Sequence, residues 1–134
     1  MEPLPLRFRA RVVTGAGRGR KHGRPTLNLD LADVPSTLAE GIYACAAHID
    51  GRTERAVMHF GPRPVFRDSA SCEVHLIDTP VKEAPPHMDV TVVSYLREVR
   101  DFPSAAAMYV QIASDVEAAR AILDAWVSSA ASNG

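Results

Sequence analysis

Alternation of apolar and polar positions is the strongest regularity in the chain. Between residues 6 and 13, Leu6, Phe8, Ala10 and Val12 fall on one side and Arg7, Arg9 and Arg11 on the other, which predicts a half-buried strand. Residues 27–31 predict a short strand, and 32–40, with Pro35, a loop. Residues 41–49 read as a third strand, Asp50-Gly51 as a hairpin turn, and 56–60 as the return strand. Gly61-Pro-Arg-Pro64 interrupts the pattern. Residues 72–77 and 89–97 predict two further strands, the second rich in Val and Thr, joined by a loop with Pro80, Pro85 and Pro86. Many short strands between Gly/Pro turns define a mainly β protein, an antiparallel sheet or a closed barrel.

The C-terminal part changes period. Ser104 is placed to N-cap a helix running through Met108, Gln111 and Ile112. Ser114-Asp-Val-Glu117 fits a capping box, which predicts that a second helix begins there. Val116, Ala119, Ile122, Leu123 and Trp126 have helical spacing and are expected to face the sheet. Helical structure is expected over about 104–128 and a frayed tail from Ser128 to Gly134. One domain over 1–134 is expected, with no internal repeat.

Composition narrows the class. No run approaches the roughly 18 apolar residues of a membrane span. The start lacks a basic segment followed by an apolar one. Two cysteines make no disulfide framework, so a cytoplasmic protein with reduced thiols is expected. Net charge is −1, but Arg7, Arg9, Arg11, Arg18, Arg20, Lys21 and Arg24 face only Glu2 within the first 24 residues. Such a basic end implies an anionic partner, nucleic acid or nucleotide. Aromatics are only 6% and do not interleave with the basic residues, which argues against an RNA-stacking surface. A monomer that binds neither nucleic acid nor membrane is expected.

The stretch Gly15 to Asn28 carries the most chemistry. Gly15, Gly17, Gly19 and Gly23 let backbone N–H groups approach an anion, and Arg18, Arg20, Lys21 and Arg24 balance its charge. Thr26 and Asn28 follow with neutral oxygens, which a hard Mg2+ accepts beside phosphates. The loop reads as a nucleotide phosphate site, with a plain basic turn as the alternative. It matches neither the Walker A pattern nor the dinucleotide fingerprint.

Glu73 shares a strand face with His75, opposite Cys72, Val74 and Leu76. A carboxylate turned to a cleft there can take a proton from a substrate hydroxyl; the alternative is a solvated side chain. Cys45-x-x-His48 and Cys72-x-x-His75 suggest zinc, but within strands i and i+3 point to opposite faces, so no metal is assigned to them. Asp78 and Asp89 have no obvious partner. Arg97, at a strand end, and Phe102 can border a planar or anionic ligand, or make a rim salt bridge and a buried ring.

Taken together these segments resemble the riboflavin kinase (flavokinase) family from about Arg11 to Leu123. The family's G-x-x-R-G-R-x-L-G-x-P-T-A-N is similar to Gly15 through Asn28, its L-P-x-G-V-Y-A to Leu38 through Ala44, and its N-I-G-x-R-P-T-F to His59 through Phe66. Its E-V-H-L-L-D resembles Glu73 through Asp78, its L-R-x-E-x-x-F-x-S Leu96 through Ser104, and its Q-I-x-x-D Gln111 through Asp115. The resemblance implies a compact Greek-key barrel of six antiparallel strands with C-terminal helical segments. It implies transfer of the ATP γ-phosphoryl group to the riboflavin 5′-hydroxyl, giving FMN and ADP. It puts Thr26 and Asn28 on the Mg2+-nucleotide, Glu73 on the catalytic base, Gly15 to Gly23 on a flap over the phosphates, and Arg97 and Phe102 beside the flavin. His22, Arg24, Leu27, His59, Val65, Ala84-Pro85 and Val99 depart from the family pattern. They keep a second reading in view, a non-catalytic flavin- or nucleotide-binding module of the same fold.

Overall fold

Strands whose side chains alternate between a dry interior and an outer surface build most of the molecule. The computed structural model describes residues 3–13, 20–21, 24–62, 70–78 and 83–133. The elements are β1 (Leu6–Val13), β2 (Arg20–Lys21), β3 (Arg24–Leu29), β4 (Gly41–Ile49), β5 (Arg52–Pro62), β6 (Ala70–Leu76), β7 (His87–Arg97) and α1 (Ala105–Asn133). All pairings are antiparallel, in the order β1-β7-β4-β5-β6-β3, and a β1–β3 pairing closes the six strands into a barrel. β2 is a two-residue strand against the start of β3. The meander β4-β5-β6, with β7 returning beside β4, is a Greek key.

The interior is filled by the inward halves of the alternation, among them Phe8, Leu27, Leu29, Tyr43, Cys45, Met58, Val74, Met88 and Val90. The buried Tyr43 hydroxyl donates to the Ala39 carbonyl at 2.6 Å, which satisfies its polar end. A second apolar layer lies outside the barrel. Val116, Ala119 and Leu123 of α1 cover Ile42, Ala44, Val57 and Ile77. The i, i+3, i+7 spacing of those helix residues is the stripe read from the sequence, with Ile122 at its edge, but the cluster does not include Trp126.

Four local expectations change. The strand expected at 27–31 runs Arg24–Leu29, because the Asp30 carboxylate accepts from the Ala32 amide at 3.0 Å and closes a turn that takes Leu31 out of the ladder. β5 extends beyond 56–60 at both ends, with Asp50 (φ 50°) and Gly51 (φ 77°) making the two-residue turn before it. The break expected at Gly61 falls inside the strand, where Gly61 takes φ 139° while its Cα stays paired with Ser71. The two helices are one. Ser104 does cap it, its hydroxyl accepting from the Ala107 amide at 3.1 Å. Ser114 lies in the middle of α1, and the helix continues to Asn133 where a tail was expected.

Candidate functional site

The barrel wall opposite β7 carries a polar face. Leu27, Leu29, Cys72, Val74 and Leu76 point inward, so the side chains between them point out. Register then fixes neighbours: Asn28 lies across from Glu73, and Thr26 across from His75. Cross-strand partners stand about 4.5–5.5 Å apart at Cβ, within reach of one ligand group. On the other side of β6, His59 lies opposite Glu73.

Glu73 is buried, with 3% of its surface exposed. Solvation therefore does not account for it, although Glu is a residue seldom found inside. The Ser71 hydroxyl donates to Glu73 Oε2 at 2.8 Å, fixing the carboxylate from within its own strand face. Thr26 is also buried, and its hydroxyl sits 3.0 Å from His75 Nδ1. His59 Nε2 lies 3.1 Å from the Pro62 carbonyl, which holds the ring at the strand end. A held carboxylate of this kind can accept a proton and orient a hydroxyl. Thr26 and Asn28 supply neutral oxygens two residues apart on one face. Among the described residues no three His, Cys, Asp or Glu side chains gather into a metal-holding group. This donor set fits a Mg2+ that arrives on phosphates and keeps several waters.

The row of Asn28, Glu73 and His59 continues sideways, because His59 pairs with Ile42 and Ile42 with Arg97. Three strand spacings separate Glu73 from Arg97, roughly 14 Å along the wall. Arg97 and Phe102 are brought together, the guanidinium carbon lying 5.7 Å from the ring centroid. The guanidinium also binds Asp115 through Nε (3.0 Å) and Nη2 (2.8 Å), and the Glu98 carbonyl through Nη1 (3.0 Å). Gln111 donates to the same carboxylate at 3.0 Å. Sequence reasoning missed Asp115, Ser71 and the His75–Thr26 contact. The Ser-x-Glu-x-His alternation of β6 was a usable signal for the last two.

Of the loop residues, Gly15, Gly17, Arg18, Gly19 and Gly23 lie outside the described residues. Arg20 and Lys21 form β2, paired with Pro25 and Arg24 at the mouth of β3 and so leading directly to Thr26. The two cysteines are inside the barrel, where burial pushes the Cys72 thiol up to about 12 and the Cys45 thiol well above its usual value. His48 is on the outer surface, hydrogen-bonded to Thr53 and Thr91, so Cys45 and His48 do point apart. Asp78 and Asp89 both have arginine partners. Asp78 takes Arg55 and Arg120 at 2.6 Å each, and Arg55 also reaches Asp124 on α1, which ties the helix to the end of β6.

A closed antiparallel barrel with a buried, hydrogen-bonded carboxylate beside neutral oxygen donors defines a small β-barrel protein. The chain belongs to the riboflavin kinase family: the family model described as Flavokinase, riboflavin kinase, matches residues 2–123. It is 32% identical to the riboflavin kinase of Mus musculus over 131 residues, an alignment covering 92% of this chain and 84% of that protein. It is 35% identical to the bifunctional riboflavin kinase/FMN adenylyltransferase of Pseudomonas fluorescens over 122 residues, covering 88% of this chain and 38% of that protein. A solved structure of a macrolide-efflux protein from Streptococcus pneumoniae superposes with a TM-score of 0.73 at 31% identity, covering 87% of this chain and 38% of that one. Among the described residues no helix is long and apolar enough to cross a membrane.

Proposed function

We propose that this chain is an ATP-dependent riboflavin kinase whose reaction is run by Glu73, with Thr26 and Asn28 receiving the nucleotide's phosphates. The observation that carries this reading is the β3–β6 register, which sets Asn28 directly across from a buried, hydrogen-bonded Glu73. Glu73 accepts the proton of the riboflavin 5′-hydroxyl as that oxygen bonds to the γ-phosphorus. The bond from that phosphorus to the β-phosphate oxygen breaks, leaving FMN and ADP. Phosphoryl transfer rests mainly on positioning and charge neutralisation, so few protein groups suffice.

Ser71 holds the carboxylate through Oε2 and so fixes its orientation toward the substrate. Thr26 and Asn28 would hold Mg2+, which when bound neutralises phosphate charge. His75 keeps the Thr26 hydroxyl in one orientation. Gly15, Gly17, Arg18, Gly19, Arg20, Lys21 and Gly23 cover and neutralise the phosphates. Arg97 and Phe102 border the flavin. The protein works as a cytoplasmic monomer.

The test is FMN formation from riboflavin, ATP and Mg2+, followed by chromatography. The wild type is expected to form FMN, and Glu73→Gln to retain its unfolding midpoint while losing product formation. Binding of both ligands by the wild type without product would favour a non-catalytic module. Wild-type turnover in Glu73→Gln would remove the carboxylate from the mechanism.

A further inference from the structure

The arginine stripe of β1 is not used by the site just described. Arg11 is taken up by Asp30 and Asp33. Arg7 and Arg9 instead line a cavity of about 550 Å³ with His48, Arg52, Thr53 and Asp89. We infer that this cavity is a second anion site, taking a compact phosphate-bearing small molecule.

Asp89 fixes two guanidiniums at once. Its Oδ2 accepts from Arg7 Nε at 3.2 Å and Nη2 at 3.0 Å, and its Oδ1 accepts from Arg9 Nη1 at 3.1 Å. These bonds leave Arg7 Nη1 and Arg9 Nε and Nη2 as donors, on side chains more than half exposed. Arg52 enters from the β4–β5 turn, and its contact with Glu54 is a loose 3.9 Å. Three guanidiniums thus line one concavity with Asp89 and Asp50. Planar forks of this kind match oxyanions and bind them bidentately.

The floor is rigid. His48 is held on both ring nitrogens, by Thr53 at 3.1 Å and Thr91 at 2.9 Å. Arg9, Asp89 and His48 stand side by side in register across β1, β7 and β4. The cavity is separate from the row of Glu73. It takes from β5 only its first two residues, Arg52 and Thr53, whereas Glu73 pairs with His59, roughly 20 Å further along that strand.

Inorganic pyrophosphate is the probe, titrated into the full chain while backbone amides are followed by NMR. Saturable shifts are expected at Gly51, Arg52, Thr53 and Asp89, separately from any at Thr26 and Asn28 that report the nucleotide site. Both the double variant Arg7→Gln/Arg9→Gln and the single variant Arg52→Gln should weaken the first set about tenfold or more, because each removes charge-assisted donors. FMN formation in the absence of added pyrophosphate should be unchanged in both. Missing shifts at these four amides, shifts that never saturate (an adventitious ion only), or undiminished affinity in both variants would overturn the site.

Discussion

Asp115→Asn tests what holds the flavin end of the row in shape. The pair it disrupts is nearly dry, with Arg97 13% and Asp115 7% exposed. Asp115 accepts from Arg97 through both oxygens and from Gln111 as well. Asparagine keeps the shape but removes the charge and turns an N–H donor toward the guanidinium. Breaking one partner of a buried pair costs about 3–5 kcal/mol, since the other charge stays buried. Arg97 keeps the Glu98 carbonyl and the face of Phe102, so the lower end applies, about 3 kcal/mol. In a chain of this size each kcal/mol lowers Tm by about 4 °C, for a fall of roughly 12 °C. Urea unfolding should show the same loss as a lower midpoint with an unchanged slope. Removing both groups in Arg97→Leu/Asp115→Leu should recover most of the stability, because no buried charge is stranded. If Arg97 also touches flavin, the double variant keeps a raised riboflavin KM after its stability returns. A change in Asp115→Asn within about 0.5 kcal/mol of wild type would refute the reasoning, since that is the range of ordinary surface substitutions.

Gly41→Ala should destabilise by about 1–3 kcal/mol, because its Cβ would stand 2.5 Å from Tyr95 Cε1 and 3.2 Å from the Arg97 carbonyl. Tyr95 is packed edge-on against Tyr43, so chemical denaturation should show the loss and Tyr95→Ala should relieve part of it. His48 has its pKa lowered, by burial first and then by Arg7. The unfolded chain therefore takes the proton more readily, and stability should fall as pH drops below about 6.5, a fall that His48→Gln abolishes. Asp89, held below its usual range chiefly by the Arg7 hydrogen bond, adds stability present above about pH 4 and lost below it; Asp89→Asn should flatten that limb. Both cysteines should resist a thiol reagent at pH 8 in the native protein and react fully in urea, because burial raises both pKa values; fast native labelling would contradict their placement.

Much of the barrel was legible because its strands are half wet. β1 and β6 alternate cleanly, and each alternation names an inner and an outer face. β5 was read short because Arg52, Thr53 and Glu54 carry no apolar signal, and their place in the ladder follows from the turn before them. The false helix break came from Ser114-Asp-Val-Glu117, a sound local cap signal. Asp115 faces inward because Arg97, 18 residues earlier, is waiting there, a tertiary fact that no local pattern contains.

The site itself shows where local reading stops. Once Leu27, Leu29, Cys72, Val74 and Leu76 are taken as interior, Thr26, Asn28, Glu73 and His75 must lie outside, since a one-residue slip would bury the polar set. A two-residue slip leaves every side chain on its proper face. It would set Thr26 across from Glu73 and leave His75 without Thr26 opposite it. Closure of the barrel removes that freedom, because β3 must also meet β1 at Val12↔Leu29 while β6 meets β5 at His59↔Glu73. The stagger around a closed barrel is a single quantity shared by all its strands. What places Asn28 across from Glu73 is therefore the closure of the whole barrel, so a change that opens the β1–β3 seam should disturb the site without touching any of its side chains.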